Sequence, residues 1–389
     1  MRVSYPLLSQ LEWLSSLKAA QLHRVAFLTG TASSGGKAVV SDRLANAFAT
    51  ANAEMQPSSK KDGPLSILSI DMGIRNLAYA HLLVEPEINE SGHAKSKAFK
   101  PPILNAWNRL VISDFPDPSC QPSGIVSSPG HSTSNKRNSR SEDEETNEAI
   151  LKKESFAPDL YAAHAYTLIK SLISTYQPTH FLIERQRFRS GGASAVQEWS
   201  IRVGVFEGML HAILYALRRE SNTLDFKVQS VEPRRVVDYW IQTDPGAEAP
   251  EAGGKRKKVT SMEGKKAKVG IAGRWIAAAL LDRGGEHAKL DLSTNTQVMG
   301  MSRAFLKKWG RGRNKDEIAL VTKALLEASS VAKSEEKYDS HHDTRPDIGK
   351  VDDLADCLLQ GIAWLEWHAW RRRFNAEGPD AMPQAAVGG

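Results

Sequence analysis

The sequence predicts an α/β protein: a mixed sheet flanked by helices, preceded by a small helical unit. Three observations lead there. Short apolar runs rich in strand formers recur at 65–70, 77–84, 104–112, 180–184 and 226–231. Strands crowd the front of this region and helical patterns interleave later, which favours an α/β sheet over separate all-α and all-β units. The chain has 389 residues, 41% of them hydrophobic, enough to bury a sizeable core in one large domain with appendages or in two domains.

The helical unit comes first. Leu7, Leu8, Leu11, Leu14 and Leu17 recur at helical spacing, and Leu22, Val25, Ala26 and Leu28 form a second apolar face. Gly30 stands where a helix stop is expected, Ser33 to Gly36 make a turn, and a third helix is predicted from Lys37 to Phe48. A polar linker follows to residue 63. Leu65–Ile70 and Leu77–Val84 then read as strands joined by the turn Gly73-Ile74-Arg75-Asn76, and Leu104–Ile112 as a third strand. Residues 117–148 are dominated by Ser, Pro, Asn and charge and are expected to be disordered. A helix over Tyr161–Tyr176 leads to the strand His180–Glu184. A long helix is expected over 193–219, a strand at Phe226–Val231, a Gly/Ala/Lys-rich basic loop over 244–270, and helices near 271–283 and 315–328. A helix from Val351 to Phe374 closes the fold.

The bulk properties exclude some classes. No run of about 18 apolar residues occurs, so no membrane span is expected. Cys120 and Cys357 are the only cysteines, which rules out a disulfide framework and a Cys-based metal site. Net charge is +6, permissive for nucleic acid without proving it. Near the start, Arg2, Lys18 and Arg24 stand against Glu12 among several serines, a pattern shared by organellar transit segments and ordinary amphipathic helices.

Three acidic features carry the chemistry. Asp71 directly follows an apolar strand and precedes Gly73, which lets a ligand approach the backbone, although an Asp there can also just cap a turn. Glu184 repeats the arrangement at the end of His180–Glu184 and is followed at once by Arg185, Gln186, Arg187 and Arg189. The third is Asp352-Asp353-Leu-Ala-Asp356, opening an otherwise apolar helix. The pairs 353/356 and 352/356 each share a helix face, where like charges repel. The helix dipole excuses one or two acids in a first turn; three suggest a bound cation. The set is all hard oxygen, without His or Cys partners, which suits Mg²⁺ or Mn²⁺ over Zn²⁺. Carboxylates from two strand ends and a helix can hold two ions about 3.5–4 Å apart for phosphodiester hydrolysis.

Ile70-Asp71-Met-Gly-Ile-Arg-Asn-Leu-Ala-Tyr79, Ile183-Glu184-Arg-Gln-x-x-Arg189 and Asp352-Asp353-Leu-Ala-Asp356, in this order, resemble the fungal mitochondrial Holliday junction resolvases (cruciform-cutting endonucleases) of the RuvC-like branch of the ribonuclease H-like superfamily. The resemblance covers about 65–375 apart from inserted loops. It implies a ribonuclease H-like sheet, a homodimer, four-way junction DNA as substrate, two Mg²⁺ (or Mn²⁺) ions per site, paired symmetric nicks and a mitochondrial location. By position it makes Asp71, Glu184, Asp353 and Asp356 the catalytic metal ligands, with Asp352 an alternative to Asp353. Val351 departs from the family, which has a second Lys there. Leu17-Lys18, Leu22, Leu28, Gly30, Ser34-Gly35, Lys37 and Arg43-Leu44 resemble a SAP-like DNA-binding module, and the same short apolar pattern also fits a plain packing unit. The expected organisation is therefore a SAP-like module at 1–50, a linker at 51–63, a nuclease domain at 64–376 and a flexible tail at 377–389.

Candidate DNA contacts are Arg75, Arg185, Arg187 and Arg189 beside the acids, with Phe188 placed to wedge or stack at a base step. Further clusters are Lys255, Arg256, Lys257 and Lys258 with Lys265, Lys266 and Lys268 in the same Gly-rich loop, then Lys307, Lys308 and Arg311 around Trp309, and Lys350. Part of helix 193–219 is expected at the dimer interface by resemblance. His341-His342-Asp343 lies in a polar stretch and reads as a surface loop. An actin-like or sugar-kinase protein also places Asp-x-Gly after its first strand, but needs a second Gly-rich phosphate loop that this chain lacks. A junction binder without catalysis would have no use for intact acids.

Overall fold

The computed structural model describes residues 11–55, 64–88, 94–112, 157–187, 198–221, 223–243, 261–281, 288–311, 313–335 and 348–383. Three helices open it: α1 (Trp13–Ser16), α2 (Ala19–Leu28) and α3 (Lys37–Met55). The helix predicted to stop at Phe48 continues through the first part of the expected linker, because Ala49 to Met55 is composed largely of helix formers. Gly30 ends this unit's second helix with φ +63°, and a Cβ there would lie 2.2 Å from the Trp367 ring. Both the backbone conformation and the close approach require glycine.

The strands β1 (Leu65–Asp71), β2 (Leu77–Val84), β5 (Ile103–Leu110), β6 (His180–Glu184), β7 (Lys227–Val231) and β8 (Asp291–Leu292) form one sheet in the order β7-β6-β1-β2-β5-β8; β3 (Pro86–Ile88) and β4 (Ala94–Phe99) make a separate antiparallel pair. β2 runs antiparallel to β1 and β5, whereas β6 and β7 run parallel to β1. The stretch β5-β2-β1-β6-β7 with that antiparallel second strand is the ribonuclease H-like arrangement. β1 is buried along its whole length, as a central strand covered on both faces must be.

One face packs on α4 (Pro158–Tyr176) and α5 (Glu198–Glu220), using Leu68, Ile70, Phe181 and Ile183. The other uses Ile67, Ala80, Leu82 and Leu182 against α6 (Pro233–Thr243), α7 (Ser261–Leu281), α8 (Thr296–Trp309), α9 (Lys315–Glu335) and α10 (Val351–Glu377). α10 is apolar nearly all round from Leu354 to Leu365, the composition of a helix enclosed by others. Indole N–H groups of Trp107 and Trp240 donate to its Leu354 and Leu359 carbonyls, each at 3.0 Å, and its own Trp364 donates to Gln229 Oε1 at 2.7 Å. Such bonds contribute about 1 kcal/mol each and fix the helix in register over the sheet.

Several expectations need correction. The basic loop expected over 244–270 gives way at Ser261 to α7, whose glycines serve packing: a Cβ on Gly273 would strike the Trp309 ring at 2.2 Å. The tail expected from 377 is ordered as far as 383; a 3-10 turn at Gly378–Ala381 buries Ala381 and Met382 beside Phe374 and the N-terminal helices. Helices α6 and α8 are additions, although Asn295 caps α8 by accepting from Val298 N–H at 2.8 Å. α5 is, by length and composition, apolar enough to cross a membrane, with a best-window hydropathy of 1.3. Interspersed charges such as Arg202 and Glu207 hide this from a search for unbroken apolar runs. Val203, Phe206, Leu210 and Leu214 of α5 pack on the sheet, while Ile201, Val205 and Tyr215 are exposed. The segment 117–148 and His341-His342-Asp343 lie outside the described residues.

Candidate metal centre

Topology brings the first two acids together. β1 and β6 are adjacent and parallel with Ile70 opposite Ile183, so the next residue of each strand, Asp71 and Glu184, emerges at the same sheet end. Glu184 Oε2 accepts weakly from Met72 N–H at 3.4 Å and from Gln186 Nε2 at 3.3 Å. Asp71 is buried. Burial first, then the Glu184 charge and a carboxyl–carboxyl hydrogen bond to it, then the charges of Asp356 and Asp353, push the Asp71 carboxyl well above the usual carboxylate range.

The start of α10 brings the remaining acids, with Lys350 as the exposed residue just ahead of the helix. Lys268 Nζ reaches both oxygens of Asp356, at 2.5 Å from Oδ2. Burial lifts Asp356 to about 6 against the opposing pull of Lys268, and the Glu184 charge adds to the lift. Arg109 Nε faces Asp353 Oδ2 at 3.5 Å, yet neither atom completes a hydrogen bond. Burial, then the Asp352 charge, raises Asp353 to about 6 in spite of Arg109. Asp352 is held by Lys265 at 2.8 Å. Burial would raise its carboxyl, but the Lys265 hydrogen bond and charge prevail and leave it lowered.

Asp71 feels the charges of Glu184, Asp356 and Asp353, and Asp356 that of Glu184, while Asp352, ion-paired with Lys265, adds its charge to both Asp353 and Asp356. Among the described residues no three His, Cys, Asp or Glu side chains are gathered closely enough to hold an ion as they stand. Lys268 is ion-paired with Asp356, and Arg109 faces Asp353. The donor set nevertheless fits a hard divalent cation. It offers only oxygens, Asp353 keeps a buried oxygen without a hydrogen-bond donor, and burial, with neighbouring acidic charge second to it, raises three of the carboxyls.

Arg75 is exposed in the turn after β1 and its guanidinium lies 5.5 Å from the Trp199 ring centroid. Arg185 and Arg187 follow Glu184 and are exposed; Arg187 is ion-paired with Glu232. Lys307, Lys308 and Arg311 are exposed at the end of α8, where Lys308 donates to the Gly349 carbonyl just before α10. Phe188, Arg189, Lys255, Arg256, Lys257 and Lys258 lie outside the described residues.

Sequence reasoning missed Arg109, the role of Lys265 and Lys268, and two arginines that act with Arg185 and Arg187. Arg235 of α6 donates to Gly30 O at 3.1 Å, and Arg43 of α3 donates to the Ala32 and Ser34 carbonyls. Burial pulls Arg235 below its usual range; Glu232 opposes this, and the charges of Arg185, Arg187 and Arg43 add to it. A signal existed for Arg109, a cation inside an otherwise strand-like run. None existed for Lys268, whose partner is 88 residues away.

Comparison with known proteins places these features in context. A family model described as "Mitochondrial resolvase Ydc2 / RNA splicing MRS1" matches residues 67–374. The chain is similar to "Cruciform cutting endonuclease 1, mitochondrial" of Schizosaccharomyces pombe (strain 972 / ATCC 24843), 26% identical over 232 residues, covering 58% of this chain and 68% of that protein. It is similar to the protein of the same name from Saccharomyces cerevisiae (strain ATCC 204508 / S288c), 23% identical over 224 residues, and spans 56% of that protein's length and of its own. Among solved structures it resembles the yeast mitochondrial Holliday junction resolvase Ydc2, with a TM-score of 0.47, 21% identity, and coverage of 92% of this chain and 97% of that one. A Thermus thermophilus RuvC structure gives a TM-score of 0.24 and 10% identity, covering 70% and 96%.

Proposed function

Because this chain belongs to the family of the mitochondrial resolvase Ydc2 and the RNA-splicing protein MRS1, we propose that it is a mitochondrial, metal-dependent endonuclease that resolves four-way DNA junctions. The observation that carries this reading is the convergence of acids at one end of the sheet: β1 and β6 set Asp71 beside Glu184, and burial, then neighbouring acidic charge, raises Asp71, Asp353 and Asp356, the neighbour of Asp353 being Asp352. A binding protein has no use for that electrostatic cost.

The metal is proposed to be Mg²⁺ or Mn²⁺, two ions per site, held by Asp71, Glu184, Asp353 and Asp356. Bound there, such ions activate a water and stabilise the leaving 3′ oxygen. The chain's own residues do the rest. The parallel pairing of β1 and β6 fixes Asp71 and Glu184 side by side. Lys268 and Arg109 keep the helix-borne acids charged and oriented. Arg75, Arg185 and Arg187 border the acids and supply exposed cations for the phosphates flanking the cut. Lys307, Lys308, Arg311 and Lys350 extend the positive surface on the far side of α10's first turn. The domain division into a SAP-like module and a nuclease domain is retained, with the module running to Met55 and sharing a core with the end of α10 through Phe374.

Two symmetric nicks need two sites related by a two-fold axis. The exposed Ile201, Val205 and Tyr215 on one face of α5 support a homodimer through that helix. Sedimentation of Val205→Glu tests this part, with a shift to monomer expected.

The test of the whole reading is cleavage of a synthetic four-way junction with Mg²⁺ by wild type and Asp71→Asn. Wild type is expected to nick opposite strands, and Asp71→Asn to bind without cutting. No metal-dependent nicking by wild type sinks the nuclease reading, and equal cutting of linear duplex removes the junction.

A further inference from the structure

Gln360 is buried at 3% exposure in the middle of α10. It lies seven residues beyond Asp353 and four beyond Asp356, on the same side of the helix. Its Nε2 stands 3.1 Å from Ser69 Oγ, 3.2 Å from the Ile70 carbonyl and 3.2 Å from the Leu182 carbonyl. Ile70 is the residue before Asp71, and Leu182 is two before Glu184. One amide nitrogen thus touches both strands that carry acids, from the helix that carries the others.

The next residue makes this reach possible. A Cβ on Gly361 would come within 2.7 Å of Leu82 Cδ1 and 3.3 Å of Ser69 Cβ. The helix therefore rests directly on β1 and β2. An apolar residue of similar volume at 360 would fill the space with less desolvation. A buried amide is retained at a cost unless its hydrogen bonds do something that packing cannot. Apolar contacts allow small sliding of a helix on a sheet, whereas hydrogen bonds to fixed carbonyls set its axial position to a few tenths of an ångström.

We infer that Gln360 is a positioning residue for the carboxylate cage: it locks α10 to β1 and β6, so that the helix start keeps Asp353 and Asp356 facing Asp71 and Glu184 and only their side chains need move to close on a divalent ion. The inference rests on the reading of those acids as a metal centre. Gln360, buried beneath the strand ends, would act through the acids and not by direct contact with metal or DNA.

The experiment compares wild type, Gln360→Leu, Gln360→Met and Ile169→Ala. Ile169 is a fully buried residue of α4 on the opposite face of the sheet, so its truncation reports loss of stability alone. Three quantities are read: Tm, Mn²⁺ binding by calorimetry without DNA, and junction binding in Ca²⁺. Gln360→Leu is expected to weaken Mn²⁺ binding about tenfold, as loss of a group that orients metal ligands does, and to leave junction binding within about twofold of wild type on that same basis. Ile169→Ala is expected to lower Tm with Mn²⁺ binding unmoved. Equal Mn²⁺ affinity in wild type and both Gln360 variants overturns the inference, as does a matched loss in Ile169→Ala. Gln360→Met, with a flexible side chain that packs readily, gives the same readings should Gln360→Leu fail to fold. If wild type itself binds no Mn²⁺, the metal-centre reading fails first, which separates the two failures.

Discussion

The two sides of the carboxylate cage are built differently. On the strand side, Asp71 and Glu184 press on each other, and among the described residues no ion pair reaches either. On the helix side, Asp356, Asp353 and Asp352 each face a cation: Lys268, Arg109 and Lys265. The helix side is compensated by the protein, whereas the strand side awaits compensation from outside. A helix start flanked by α7 and β5 can borrow cations from both.

The largest effects come from breaking the strand side. Asp71→Asn removes one of the proposed ligands and a carboxyl held well above its usual range. Junction cutting in Mg²⁺ is expected to fall about 10³-fold or more, since the several kcal/mol supplied by metal-bound charge convert at about 1.4 kcal/mol per tenfold. The metal-free protein is expected to gain stability, because the folded state no longer confines an unwelcome charge; calorimetry should show Tm rising by a few degrees. A fall in Tm would mean that Asp71 is already compensated.

Next comes the helix side's strongest pair. Lys268→Met leaves Asp356 facing other acids without its cation. Breaking a buried pair from one side costs about 3–5 kcal/mol, and about 2–4 is expected here because the Asp356 side chain retains 26% exposure. Chemical denaturation without metal measures it. Added Mg²⁺ should recover more stability in the variant than in wild type, since it takes over the role of the lysine.

How far this contrast was legible in the sequence follows from its physics. Asp71 and Glu184 each end an apolar run, and β1, β2 and β6 appear in place because alternation and strand composition are local properties. The acids opening α10 were equally visible. Lys268 was not: it reads as part of a basic loop, since nothing within a few residues reveals that α7 packs on α10. Arg109, Gln360 and Gly361 acquire meaning only once the helix rests on the sheet. α8 carried a readable cap at Asn295, and α6 an apolar spacing at Val236, Tyr239 and Trp240, but the charged residues around both resembled spacer. The resemblance supplied the pairing of distant motifs that periodicity lacks.

Acid titration of stability sharpens the contrast further. Asp353 and Asp356 have folded values of about 6 against an ordinary 3.8. Their destabilisation is therefore full above 6 and relieved as pH falls through 6 toward 3.8. His81, buried between Ser66 and Asn105 at 2.7 and 3.0 Å, is lowered by burial from 6.5 to about 4. Its stabilisation is full above 6.5 and lost as pH falls toward 4. Without metal the two trends oppose each other, but Asp353 and Asp356, with Asp71 raised beside them, outnumber the one imidazole, so stability should rise as pH falls from 6.5 to 5. With Mg²⁺ the carboxylates are compensated at neutral pH and release the ion on acidification, so stability should fall throughout. Urea midpoints at several pH values, with and without Mg²⁺, read both slopes. Identical slopes would remove the cage from the titration.

The smallest effect distinguishes two neighbours. Asp352 and Asp353 are adjacent, yet Asp353 is among the charges that raise Asp71, whereas Asp352 is turned to Lys265, whose side chain is 57% exposed. An ion pair with one such exposed partner is worth about 0–1 kcal/mol. Asp352→Asn is expected to lower stability by no more than that and to leave junction cutting within about threefold of wild type, a change below about 1 kcal/mol. Asp353→Asn removes a cage member and is expected to behave like a milder Asp71→Asn, slow in Mg²⁺ and partly restored by Mn²⁺. The order of the two variants in a single-turnover assay decides which acid belongs to the cage. Should Asp352→Asn be the more damaged, α10 must turn by most of a residue when metal binds, and the compensation by Lys265 would be a feature of the metal-free state alone.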